Sequence, residues 1–295
     1  MVVLFFAILT TPHLLSSVND QSIPFEAFLY SFLMCAVGVL TVMCSSAQEK
    51  EIAIVAHRGY WNCDAAGSAK NSIAALKQAQ ELGVWGSEFD VNMSLDGQLL
   101  VFHDNSVEGK RIEKHPAADF AYYRLKNGEA IPTIDQYLEQ ACMHPQTMLV
   151  YELKKHSCDS VETKAVEASI AALKKHGLFN PENVMFISFS KHICKEFAAK
   201  APGFTVQYLE KNADPDELVT YGINGIDTKY KVLLRDSVLF DAARRNNMSI
   251  NTWTVNDTSY IRKVIELGVD QITTDEPELV RHLLKETGVK EKVAK

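Results

Sequence analysis

From Glu51 onward, short runs rich in β-branched and apolar residues alternate with amphipathic stretches of helical period. The apolar runs predict strands at 52–57, 85–91, 148–153, 184–189, 205–209, 224–228, 249–255 and 270–274. Each is followed, directly or after an insertion, by a helix predicted over 72–82, 133–142, 160–176, 191–200, 215–221, 235–246, 258–267 and 277–286. Several helices open on capping residues: Thr133 with Gln136 three positions on, Asp159 with Glu162, and Asp214 followed by Pro215 and Glu217. Eight strand–helix units, with no Pro/Gly/Ser-rich linker or charge block between them, predict a (β/α)8 barrel. Parallel strands with helical crossovers bury both faces, and closure removes the sheet edges. An open doubly wound sheet is the other arrangement that the pattern permits. One departure follows the second strand: the hairpin "LDGQLLVFHD", with Asp96-Gly97 at its turn, and then an irregular stretch from Asn105 to Ala130.

The first 47 residues follow a different pattern. None of the 30 Lys+Arg residues of the 295-residue chain precedes Lys50, and Asp20 and Glu26 are the acids of that segment. An apolar run from about Ala27 to Cys44 ends at "CSSAQEKE", where Ser45 and Ala47 are the small residues that signal peptidase requires before a cut at Gln48. Residues 1–47 are therefore expected to be a secretory signal peptide, with Met34 as an alternative start, and the protein is expected to be exported to a periplasmic or extracellular location. The other readings are a retained membrane anchor, including a lipid on Cys44, and a buried helix of the fold. Residues 48–295 then form one domain. Cys63, Cys142, Cys158 and Cys194 within it match no zinc-binding spacing and are too sparse for a disulfide scaffold, although an oxidising compartment permits one bridge. With 37 Asp+Glu against 30 Lys+Arg, the net charge of −7 argues against nucleic acid as a partner and leaves a membrane as a partner only through the N-terminal segment.

In barrels of this kind the chemistry sits at strand C-termini and in the loops that follow them. The first strand ends in "AHRG", presenting His57 and Arg58. The second carries Glu88 and Asp90 two apart, so strand alternation puts both carboxylates on one face and Phe89 and Val91 on the other. The third ends in "YELK", with Glu152 and Lys154 on a common face, and the hairpin strand ends in His103-Asp104. Like charges side by side in a barrel mouth repel unless a cation lies between them. Three carboxylates with no thiolate make a hard oxygen site, suited to Mg²⁺ or Ca²⁺ rather than zinc. Taken singly, such residues are more often structural or solvated. Their convergence at neighbouring strand ends marks a candidate metal site.

The motifs "AHRG", Asn71-Ser72 opening a helix, "SEFDV", "SLDGQLLVFHD", "IPTIDQYL", "YELK", "WTVND" and "GVDQITTDEP" occur in an order and spacing that resemble the glycerophosphodiester phosphodiesterase family, across about residues 52–280. The resemblance implies a TIM barrel, a divalent metal ion, and hydrolysis of a glycerophosphodiester to glycerol phosphate and an alcohol. It implies that His57 and His103 are the acid–base pair, that Glu88, Asp90 and Glu152 hold the metal, and that Arg58 and Lys154 bind the phosphate. Trp61 and Trp253 are expected to pack against the glycerol backbone, with ordinary core packing as the plainer role. Where the family usually has Glu before its Asn-Ser/Thr pair, this chain has Lys70, and its stretch from His103 to Ile131 is shorter than in many relatives.

A phosphodiester carries one negative charge and expels a poor alkoxide leaving group. Its hydrolysis needs charge neutralisation, an activated nucleophile and a proton donor. A metal with Arg58 and Lys154 supplies the first, and two histidines with ordinary pKa values of about 6.5 divide the others. Water or a neighbouring glycerol hydroxyl serves as nucleophile. Competing readings are a relative that cleaves lysophospholipid or sphingolipid head groups, and a catalytically weak glycerol-phosphate-binding protein. His115, His144, His156, His176, His192 and His282 lie away from the predicted strand ends and are expected at the surface.

Overall fold

A computed structural model describes residues 51–294, so the expected signal or anchor at 1–47 lies outside the described residues. Eight parallel strands close into a barrel: β1 (Glu51–Ala56), β2 (Gly86–Met93), β6 (Met148–Leu153), β7 (Val184–Ser188), β8 (Val206–Tyr208), β9 (Gly225–Lys229), β10 (Ser249–Trp253) and β11 (Gln271–Thr274). Closure is made by β1, which pairs with β11 through Ala53 and Gln271 and with β2 through Val55 and Gly86. All eight strands coincide with those predicted from the sequence.

Crossovers are α1 (Ile73–Leu82), α2 (Ile134–Ala141), α3 (Asp159–Lys175), α4 (Lys191–Lys200), α5 (Pro215–Leu218), α6 (Tyr230–Leu233), α7 (Ser237–Arg245), α8 (Thr258–Leu267) and α9 (Pro277–Thr287). The capping box of Thr133 and Gln136 forms as expected, and Asp214 accepts from the backbone of Asp216 and Glu217. Asp159 does not cap α3. Cys158 holds the cap position without a side-chain bond, while the Glu162 carboxylate turns inward to accept from the His156 backbone N–H at 3.0 Å and the Ser190 hydroxyl at 2.5 Å.

His156 itself is buried, not at the surface. The N–H of Met93 lies at the end of β2, where a buried donor needs an acceptor, and His156 Nε2 provides it at 3.0 Å. That role needs an unprotonated Nε2, and burial lowers the imidazole pKa accordingly.

Alternation along the strands sorts the core into two layers. Ile52, Ile54, Phe89 and Val91 point outward to the helices, where Phe89 stacks on Tyr137 with ring centroids 4.5 Å apart. Ala53, Val55, Val150, Met185 and Ile187 fill the barrel interior. The predicted hairpin forms too. β3 (Leu99–Val101) runs antiparallel to β2, with Val101 opposite Val91, and Gly97 at the turn has φ +80°. The following insertion has a small core of its own around Phe120, Ile112 and Leu125 and carries a short ribbon, β4 (Ser106–Val107) with β5 (Lys110–Arg111). This ribbon and the terminal β12 (Lys290–Lys292), paired to the start of β1, are too short to leave a sequence signal. Cys63, Cys142, Cys158 and Cys194 are all free. Among the described residues no helix is long and apolar enough to cross a membrane.

Candidate active site

Parallel pairing of β2 with β6 sets Asp90 beside Glu152 and Glu88 beside Val150. The same register sends Phe89 and Tyr151 outward together, so burying the aromatic pair commits the carboxylates to the interior. Oxygens of Glu88, Asp90 and Glu152 lie within 4.8 Å of one another, and all three side chains are buried. Lys154, two residues past Glu152 and on the same face, bridges Glu152 Oε1 at 2.6 Å and Asp90 Oδ1 at 3.1 Å. Arg58 Nε approaches Asp90 Oδ2 at 3.3 Å.

The loop after β1 makes a tight turn beneath these groups. Arg58 is left-handed at φ +58°, and its N–H donates to Glu88 Oε2 at 2.8 Å. At Gly59, φ is +78°, and a Cβ would lie 2.6 Å from the Ala75 carbonyl carbon, so glycine is required there. Ser72 caps α1, accepting from Ala75 N–H at 2.9 Å. Asn71, also left-handed at φ +59°, clamps Asp90 from both ends: its amide donates to Oδ2 at 2.8 Å and its carbonyl accepts from the Asp90 N–H at 3.1 Å. The left-handed turns at Arg58 and Asn71 thus aim the donors that hold the Glu88 and Asp90 carboxylates in place.

The two histidines reach the cavity from different strands. His57 follows β1 directly. His103 is carried there by the antiparallel β3, which returns along β2 until Phe102 N–H bonds the Asp90 carbonyl at 2.9 Å. Each ring is held by a carboxylate at Nδ1: Asp275 at 2.8 Å for His57 and Asp104 at 2.7 Å for His103. A carboxylate accepts, so both rings keep a proton on Nδ1, and in the neutral ring Nε2 is the free basic nitrogen. Asp275 also accepts from Trp61 Nε1 at 2.8 Å and Asn256 Nδ2 at 2.7 Å.

His57, Arg58, His103, Glu88, Glu152 and Lys154 line the charged side of a cavity of about 90 Å³, and Ile187, Phe189, Leu209 and Trp253 line its apolar side. Trp253 meets Phe189 edge-on with centroids 5.7 Å apart. Trp61 stands apart from this lining, with its indole committed to Asp275 and its face covered by Lys70 Nζ, 4.3 Å from the ring centroid.

The electrostatics are those of an under-neutralised anionic site. Burial, with Asp90 and Glu152 nearby, pushes the Glu88 carboxyl well above its ordinary range. Burial and Asp90 push Glu152 up to about 7. Burial would raise Asp90 too, but Lys154 and Arg58 outweigh it and hold its carboxyl low. Burial lowers the His103 pKa. Asp275 is held at about 2, because its bonds with His57, Asn256 and Trp61 overcome the effect of burial. Three buried carboxylates face two cations, so a further positive charge fits, and the all-oxygen donor set suits a hard divalent ion.

Asp275, Asn256 and Asp104 are additions to the residues that the sequence singles out, although Asp275 sits where the strand-end rule points, one residue after β11, and Asn71, expected only to open α1, proves to hold Asp90 as well. Asp227 on β9 is a further addition. It lines the same cavity, is fully buried, and its Oδ1 has no partner among the described residues.

Residues 57–279 match the model of the glycerophosphoryl diester phosphodiesterase family. A glycerophosphodiester phosphodiesterase of Caldanaerobacter subterraneus is 26% identical over 253 residues, covering 80% of this chain and 98% of the relative. The crystal structure of a glycerophosphodiester phosphodiesterase from Parabacteroides distasonis superposes with a TM-score of 0.77 at 37% identity, covering 81% of this chain and 99% of that one. An Oleispira antarctica phosphodiesterase, solved in complex with its product sn-glycerol-3-phosphate, shares the fold with a TM-score of 0.67 at 24% identity, covering 79% of this chain and 96% of that one.

Proposed function

The chain belongs to the glycerophosphoryl diester phosphodiesterase family and is a phosphodiesterase, and from that premise we propose that it hydrolyses glycerophosphodiesters to glycerol phosphate and an alcohol with a divalent metal ion and a histidine pair. The observation that carries this reading is the pair of carboxylate-tethered histidines facing three buried carboxylates around one small cavity. Glu88, Asp90 and Glu152 would hold the metal, Mg²⁺ or Ca²⁺. When bound, the ion neutralises charge on the phosphoryl oxygens as a Lewis acid.

The chain's own residues do the rest. Arg58 and Lys154, anchored on Asp90 and Glu152, present positive charge to the phosphate. One histidine takes the proton of the attacking hydroxyl at Nε2, and the other, protonated, delivers one to the departing alkoxide. Asp275 and Asp104 hold both rings in the tautomer these transfers require and stabilise the imidazolium that forms. The apolar wall of Phe189 and Trp253 receives the carbon face of the glycerol. A cavity of about 90 Å³ is well below the ~300 Å³ or more of drug-sized sites, which suits the glycerol phosphate half of the diester.

Turnover of glycerophosphocholine, glycerophosphoethanolamine and glycerophosphoinositol by the purified chain, followed by release of glycerol phosphate with Mg²⁺, with Ca²⁺ and with chelator, tests this reading. Metal-dependent release is expected. Full activity in chelator, or release of free phosphate, would overturn it. Residues 1–47 are proposed to direct export, either cleaved before Gln48 or retained as an anchor. N-terminal sequencing of the protein from the medium and from membranes distinguishes the two.

A further inference from the structure

The catalytic cavity, at about 90 Å³, is small for a whole glycerophosphodiester and opens at its mouth, where the alcohol half has room to lie. A second depression, of about 240 Å³, shares Arg58 and His103 with that cavity and opens beside it. Lys70 and Lys126 add two positive charges to its lining, against the single carboxylate of Asp104, which is tied to His103. Phe102 and Tyr123, edge-to-face at 5.6 Å, are its aromatic side chains. Lys126 has no ion pair among the described residues.

The two lysines are held by packed backbone. A Cβ on Gly67 would lie 2.7 Å from the Asn127 Cβ, so the loop carrying Lys70 and the turn carrying Lys126 are in close contact. Asn127 bonds Glu129 at 2.7 Å, and Glu129 caps α1 by accepting from Ile73 N–H at 2.9 Å and Ala74 N–H at 3.2 Å. A cationic head group in this depression would therefore meet the like charges of Lys70, Lys126 and Arg58.

We propose that this depression is the alcohol-side subsite, and that it selects glycerophosphodiesters whose alcohol carries a second anionic group, a carboxylate or a phosphomonoester. The proposal rests on the phosphodiesterase reading. Two matched pairs isolate the added charge: glycerophosphoserine against glycerophosphoethanolamine for the carboxylate, and glycerophosphoinositol 4-phosphate against glycerophosphoinositol for the phosphomonoester. With the full chain at saturating metal and low salt, the anionic member of at least one pair is expected to have a kcat/KM about 10-fold higher, and the ratio should shrink as salt is raised. In the double variant K70Q/K126Q that ratio should fall toward one, and whichever pair responds identifies the anion. Ratios at or below one in the parent, or ratios unchanged in the double variant, overturn the subsite while leaving the phosphodiesterase reading intact. Failure to hydrolyse any of the four diesters overturns that reading, and the subsite with it.

Discussion

Asp275, at the end of the eighth barrel strand, accepts the Nδ1 proton of His57 at 2.8 Å, and so a residue 218 positions away in the chain sets the orientation of the first strand's histidine. The Asp275→Asn amide has the shape of the carboxylate but can present N–H where an acceptor is needed, which favours the wrong tautomer of His57. The expected result is a fall in kcat of about 10 to 100-fold with little change in KM. Steady-state kinetics check it, and Trp61→Phe, which removes only one donor to Asp275, should have the smaller effect.

Asp104 bears in the same way on His103, whose pKa burial already lowers. The Asp104 bond raises that pKa, so Asp104→Asn should lower it further. In a pH profile of kcat/KM, the limb governed by His103 should then move to lower pH. Movement of the acidic limb makes His103 the base, and movement of the alkaline limb makes it the acid. A profile that does not move would remove His103 from the proton transfers.

Metal binding should be visible without turnover. Glu152 is held at about 7 in the fold, above its ordinary 4.5. A carboxyl raised in this way favours the protonated folded state, so the metal-free protein should lose stability as pH rises from about 4.5 through 7. Thermal unfolding at several pH values measures that slope. Added Mg²⁺ or Ca²⁺ should raise Tm at neutral pH, Glu152→Gln should flatten the slope, and Glu88→Gln should abolish the metal-induced shift.

Asp227 is a buried carboxyl that burial, with Glu152 nearby, raises well above its ordinary range. Replacement by Asn removes the preference of the unfolded chain for the ionised form. Asp227→Asn should therefore raise Tm at pH 8 and leave it nearly unchanged at pH 4, as measured by thermal unfolding at the two pH values. Equal shifts at both would mean that the carboxyl does not titrate differently in the fold.

Much of this protein is legible in local pattern. Glu88 and Asp90 share a face because the side-chain period of a strand is two, and the same period buries Phe89 against Tyr137. The Asp96-Gly97 turn and the Thr133–Gln136 capping box depend on neighbours within a few residues, so they are readable one after another. Asp159 is the first residue of α3 rather than its cap, because the cap falls one residue earlier, at Cys158, and the Glu162 carboxylate bonds the His156 backbone and Ser190, contacts that local spacing does not encode. His156 was misread because its partner, the Met93 N–H, lies 63 positions away.

Periodicity and residue chemistry are local properties, and they are enough to set the eight strand–helix units and to mark His57, His103, Glu88, Asp90 and Glu152 at strand ends as candidates for the chemistry, with barrel and open sheet both permitted. Only the tertiary structure decided that Lys154 lies between Asp90 and Glu152, that Asp275 rather than a neighbour holds His57, that Trp61 serves Asp275 instead of the cavity, and that Lys70 and Lys126 share one depression. Closing β1 onto both β2 and β11 brings residues from opposite ends of the chain within hydrogen-bond distance, and spacing along the chain does not encode such distances.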